Sequence, residues 1–187
     1  MKKILVNFAH PFPEKSRANC VILERLKSLP GLLVNDLYEK YPYFDVDVQQ
    51  EQELLEAHDV IVFQHPIYWY SVPPLLKMWY DEVLELGFAY GEGGDKLAGK
   101  AFQLSITAGG AIDAYSKTGF HETEIQDFFP PWRQTARLCK MVWQEPLILH
   151  NAGRATIEEI EAHAEQVRLK LSTLCTQPPH KASEAQR

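Results

Sequence analysis

The chain has 187 residues and a formal net charge of −6, with 45% hydrophobic and 24% charged residues. That is the size and composition of one globular domain, and the acidic balance argues against nucleic acid as a partner, since phosphate binding needs a basic face. No apolar run reaches the roughly 20 residues that cross a bilayer, and Cys20, Cys139 and Cys175 are too scattered for a disulfide framework or a metal cluster. The opening MKKILVNFAH has too short an apolar stretch for a signal peptide, so the expected location is the cytoplasm. Residues 4–9 form a short apolar run, the pattern of a strand buried on both faces. After a polar loop (10–17), Ala18, Ile22, Leu26 and Leu29 make one helical stripe, stopped by Pro30-Gly31. Residues 32–37 read as a second strand, 38–48 as an irregular aromatic connection, 49–57 as a helix and 60–63 as a third, buried strand. Pro73-Pro74 opens a helix carried by Leu75, Leu76, Trp79, Val83 and Leu86, since proline is tolerated in a first turn. A glycine-containing excursion (87–94) leads to a fourth strand over 101–107 and a loop over 108–119. Residues 123–138 are predicted helical in parts and broken by Pro130-Pro131. A fifth strand over 141–149 contains Pro146, which implies an edge or a kink. The last helix starts at a capping box, Thr156 and Glu159, and keeps Ile157, Ile160, Ala164, Val167, Leu171 and Leu174 at helical spacing.

Strands alternating with helices predict an α/β fold in which a parallel sheet is covered on both faces, a three-layer sandwich. The expected single domain spans residues 1–175, with a polar, proline-containing, disordered tail over 176–187. Five strands in this span fit the flavodoxin-like order 2-1-3-4-5, which places a ligand at the switch point between strands 1 and 3. The loops after strands 1, 3 and 4 are therefore the candidate site.

The first loop, His10-Pro11-Phe12-Pro13-Glu14-Lys15-Ser16-Arg17-Ala18-Asn19, has no glycine and is neither a Walker A loop nor a GxGxxG fingerprint. It delivers Ser16 and Arg17 to the start of a helix, where free N–H groups and a partial positive charge hold anions. Ser16 is equally readable as a plain N-cap. The second loop, Gln64-His65-Pro66-Ile67-Tyr68-Trp69-Tyr70-Ser71, sets three aromatics after a buried strand. They suit a planar ring system, or a core or subunit contact. The third loop, Thr107-Ala108-Gly109-Gly110-Ala111, allows close backbone approach, or is a tight turn. Tyr115 and His121 follow it as the nearby groups able to donate a proton. Asp45, Asp47, Glu51 and Glu53 read as a solvated acidic face rather than a metal site, and no metal is expected. His58 and His163 are placed on solvated or partly buried helix positions, and His150 at a strand end.

Ala9-His10-Pro11 with Ser16 and Asn19, the run from Gln64 through Trp79, Ala89-Tyr90-Gly91, Leu97-x-Gly99-Lys100 and Thr107-x-Gly109-Gly110 together resemble the NAD(P)H:quinone oxidoreductase family over residues 2 to 175. Within that family the chain looks closest to small bacterial ancillary proteins of glutathione-regulated potassium-efflux systems. The resemblance implies FMN, with FAD disfavoured because the carboxy-terminal extension of the larger members is missing. It implies that His10, Ser16, Arg17, Ala18 and Asn19 bind the phosphate and ribityl region. Pro66, Ile67, Tyr68, Trp69, Tyr70, Thr107, Ala108, Gly109, Gly110 and Tyr115 then line the ring system, and Tyr115 and His121 assist hydride transfer. Ala108 departs from the family, where a second threonine is usual. The implied activity is a ping-pong transfer of two electrons from NAD(P)H to a quinone-type acceptor by a cytoplasmic homodimer. Docking to a potassium-efflux antiporter at the inner face of the membrane accompanies it, and a purely regulatory subunit with residual or no redox activity is the alternative.

Overall fold

The computed structural model describes residues 2–177. Its centre is β1 (Ile4–Phe8), β3 (Val60–Pro66) and β4 (Ala101–Thr107), in which every residue is buried. Their side chains alternate between two hydrophobic clusters, as a strand covered on both faces requires. Ile4, Val6, Val60 and Val62 enter one cluster with α1 (Arg17–Leu26) and α6 (Ile157–Thr176). Leu5, Ile61, Phe63, Phe102 and Leu104 enter the other, against α3 (Val48–Ala57), α4 (Pro74–Val83) and α5 (Pro130–Leu138). The half-exposed β2 (Leu32–Asp36) forms one edge. All pairs are parallel and the order is β2-β1-β3-β4-β5, the expected flavodoxin-like sandwich.

Several elements differ from expectation, each for a physical reason. The fifth strand is two pieces, β5 (Val142–Trp143) and β6 (Leu147–Leu149), both paired to β4. Pro146 cannot donate to the ladder. Gln103 of β4 bridges the gap, its Nε2 donating to the carbonyls of Leu104 (2.8 Å) and Glu145 (3.0 Å). Pro130 and Pro131 do not break a helix; they occupy the first turn of α5, after a 3-10 turn at Ile125–Phe128. The connection after β2 is partly ordered as α2 (Leu37–Lys40), a single turn whose first N–H groups, those of Tyr38 and Glu39, donate to Asp36 (3.1 Å each). The capping box of α6 is formed, and the helix continues to Thr176; the tail beyond residue 177 lies outside the described residues.

Glu51 is the largest correction. Its side chain has no exposed surface, in place of the solvated face expected for it. Oε1 accepts from Lys40 Nζ and the Tyr41 hydroxyl, both 2.7 Å, and Oε2 from Asn35 Nδ2 (2.7 Å) and Trp79 Nε1 (2.8 Å). His58 and His163, expected on solvated or partly buried helix positions, are both buried.

Candidate functional site

The carboxyl ends of the central strands converge on a cavity of about 550 Å³. At one end the chain leaves β1 through His10, turns at Pro13–Lys15 and enters α1. Ser16 caps α1: its Oγ accepts from the backbone N–H of Asn19 (3.3 Å) and from Asn19 Nδ2 (2.8 Å). Asn19 is buried and does not line the cavity; it couples three elements, donating also to Thr107 Oγ1 (3.1 Å) and accepting from Gln64 Nε2 (2.5 Å). The Arg17 guanidinium donates to the carbonyl of Ala155, which ties the start of α1 to the loop before α6. Lys15 and Arg17 both line the cavity, so two cations join the free N–H groups of α1 there. Burial lowers the His10 pKa, and its Nδ1 accepts from the Phe12 N–H (3.0 Å). Neutral His10 therefore carries its proton on Nε2, as a hydrogen-bond donor.

Pro66, Ile67 and Tyr68 form a second wall, and Thr107, Ala108 and Gly109 a third. The walls are stitched by Ile67 N–H to Thr107 O (2.9 Å) and Ala108 N–H to Leu149 O (2.9 Å). Ten of the residues picked from sequence line this cavity: His10, Ser16, Arg17, Ala18, Pro66, Ile67, Tyr68, Thr107, Ala108 and Gly109. Phe12, Lys15, Ala152 and Gly153 line it as well and escaped the sequence reading. Ala152 and Gly153 follow β6, and the Ala152 N–H donates to Ala108 O (2.9 Å). Gly153, in the turn beyond β6, is the available signal; the sequence reading takes only the loops after strands 1, 3 and 4 as ligand-bearing.

Tyr70, Gly110, Tyr115 and His121 gather beside this cavity rather than in its lining. The rings of Tyr115 and His121 stack with centroids 4.3 Å apart and planes at 20°. The Tyr70 hydroxyl lies 3.3 Å from His121 Nδ1, and its ring stacks on Phe128. Gly110 lets the pair close on the backbone: a Cβ there would sit 2.8 Å from Tyr115 Cε2 and 3.2 Å from His121 Nε2. Burial raises the Tyr115 pKa, so its phenol stays protonated at neutral pH and can donate. Trp69 stands at the tip of a two-residue hairpin, 92% exposed. That hairpin is closed by Tyr68 N–H to Ser71 O (3.0 Å) and Ser71 N–H to Tyr68 O (2.9 Å), with Trp69 and Tyr70 both at positive φ (48° and 63°).

Among the described residues no helix is long and apolar enough to cross a membrane, and no group of three or more His, Cys, Asp or Glu is placed to hold a metal ion. A doubly wound parallel sheet in this order, with its cavity at the point where the strand order reverses, defines a flavodoxin-like protein. The chain belongs to the flavodoxin-like fold family, whose sequence profile matches residues 2–171. It is 46% identical over 161 residues to the glutathione-regulated potassium-efflux system ancillary protein KefG of Cronobacter sakazakii, covering 86% of this chain and 88% of that one. The general stress protein 14 of Treponema denticola, solved in complex with FMN, superposes with a TM-score of 0.87 at 34% identity, over 92% of this chain and 99% of that one. An NADPH-quinone reductase from P. pentosaceus superposes with a TM-score of 0.82 at 25% identity, over 90% and 96%.

Proposed function

We propose that the protein is an FMN-dependent NAD(P)H:quinone oxidoreductase. The observation that carries this reading is the 550 Å³ cavity, with two cations and a capped helix start at one end and the flat wall Pro66–Ile67–Tyr68 along its side. That donor set fits a phosphate-bearing planar cofactor: Lys15, Ser16, Arg17 and His10 Nε2 would hold the phosphate. Pro66, Ile67, Tyr68, Thr107, Ala108 and Gly109 would hold the ring system. The FMN-bound and quinone-reductase structures similar to this chain support the same cofactor and reaction class. FMN supplies two-electron hydride chemistry when bound. Tyr115 and His121 stand beside the cavity as a proton-donating phenol and an imidazole, positioned to offset negative charge during reduction. NAD(P)H and the quinone-type acceptor take turns at one place, which makes the kinetics ping-pong.

The test is a titration with FMN followed by turnover with NADPH and a quinone. A bound-flavin spectrum with parallel-line kinetics is expected. His121→Gln should slow reduction by up to about 3 kcal/mol of barrier while flavin stays bound. Unchanged single-turnover reduction in that variant refutes the role given to His121.

The relatives named KefG support a second role, docking on a potassium-efflux antiporter at the inner face of the membrane from the cytoplasm. A regulatory subunit without redox activity is the alternative, and turnover measured on a co-purified antiporter complex separates the two. Exposed Tyr43, Phe44 and Trp69 supply an aromatic surface for a homodimer. Sedimentation as a monomer at micromolar concentration excludes that assembly.

A further inference from the structure

Pro146 and Gln103 have no part in the cofactor reading, yet together they open a second cavity. Where β5 and β6 part, Gln144, Glu145 and Pro146 leave the sheet, and Gln103 holds them by the Glu145 carbonyl. The resulting cavity measures about 350 Å³ and shares no lining residue with the first. Its apolar surface comes from Ile112, Ile125, Phe129 and Ile148, and the Tyr115 ring forms part of its wall. Glu124 and Glu145 add two carboxylates, and neither is in an ion pair among the described residues. No Lys or Arg lines the cavity to balance them.

His150 lines it too. Burial lowers the His150 pKa, so the imidazole is neutral at pH 7 and does not repel a cation.

We propose that this second cavity is a binding site for a small organic cation with a flat apolar body. The body packs on the three isoleucines and Phe129, and the charged end lies against Glu124 and Glu145. The volume is near the lower end of the roughly 300–1,000 Å³ of small-molecule sites, which suits a bicyclic aromatic amine. Two uncompensated carboxylates reject anions, so a nicotinamide dinucleotide does not compete for the site. The site stands independently of the redox reading; only an effect of its occupant on reduction, through Tyr115, rests on that reading.

The probe is tryptamine, with neutral 3-ethylindole and anionic indole-3-propionate as matched controls. Each is titrated into the full chain, with and without FMN, while isoleucine methyl resonances are followed. Tryptamine is expected to shift the methyls of Ile112, Ile125 and Ile148 and to bind about tenfold more tightly than 3-ethylindole. That advantage should disappear in Glu124→Gln/Glu145→Gln, whose altered side chains are exposed and isosteric. FMN should leave tryptamine binding unchanged. Equal binding of the two probes, displacement of tryptamine by FMN, shifts confined to other residues, or no shift at about 10 mM overturns the proposal. A chain that takes up no FMN overturns the cofactor reading alone, because the tryptamine titration is read on the FMN-free protein.

Discussion

Replacing Glu51 with leucine should destabilise this fold more than almost any change at its surface. Leucine fills much of the same space, so packing is largely kept while the acceptor is lost. Lys40 is 28% exposed at its side chain and can turn to water. Asn35, Tyr41 and Trp79 are buried and cannot. Each stranded donor costs about 1–3 kcal/mol, and removing one partner from a buried charged network costs about 3–5 kcal/mol in total. Such a loss is a large part of the roughly 5–15 kcal/mol that a domain possesses. Urea unfolding followed by tryptophan fluorescence measures it. Tyr41→Phe sharpens the test, since it removes one donor. In the parent chain it should cost about 1.5–3 kcal/mol, the loss of a hydrogen bond to a charged acceptor. In Glu51→Leu it should cost nothing or restore about 1 kcal/mol, because the hydroxyl has already lost its partner. A Glu51→Leu chain within 1 kcal/mol of the parent, or an equal Tyr41→Phe penalty in both backgrounds, refutes the account.

Other outcomes follow from the same geometry. Burial holds His65 and His163 at pKa values of about 4, so between pH 6.5 and about 4 the folded chain binds fewer protons than the unfolded one. Stability is then complete above pH 6.5 and falls as pH drops through that window, by about 3 kcal/mol for His65, which urea midpoints across pH will detect. Gly110→Ala should push Tyr115 and His121 apart and slow reduction by NADPH about tenfold in stopped flow. FMN affinity should stay nearly unchanged, because Gly110 does not line the cavity. Ser16→Ala removes the α1 cap and should cost about 1 kcal/mol in urea unfolding. If Ser16 also binds phosphate, flavin-fluorescence titrations should give an FMN affinity about tenfold or more weaker.

The parts of the fold visible in the sequence are those whose cause is local. An apolar run marks β1, and Thr156 with Glu159 marks the start of α6. The end of β3 was missed because Gln64 and His65 are polar yet buried: Gln64 is held by Asn19, distant in sequence, and His65 by the Pro66 carbonyl. Glu51 was misread for the same reason. Its four donors come from α2, the residue after it, β2 and α4, up to 28 positions away, and no periodicity reports them. At the site, loop composition points to the three walls of the cavity whose loops leave predicted strands. Ala152 and Gly153 depend on how the broken fifth strand docks against β4, which only tertiary structure supplies.

The hairpin at Tyr68–Ser71 carries a cost in selection. Two-residue hairpins with both central residues at positive φ favour Asn-Gly, and L-residues with side chains pay roughly 1–2 kcal/mol each to adopt that conformation. Here the positions are Trp69 and Tyr70, with the indole turned to solvent. Selection for stability alone would favour glycine at these two residues and shed the aromatic tip in doing so. Placing two aromatic rings there exchanges some folding stability for a tip that can touch a partner or ligand.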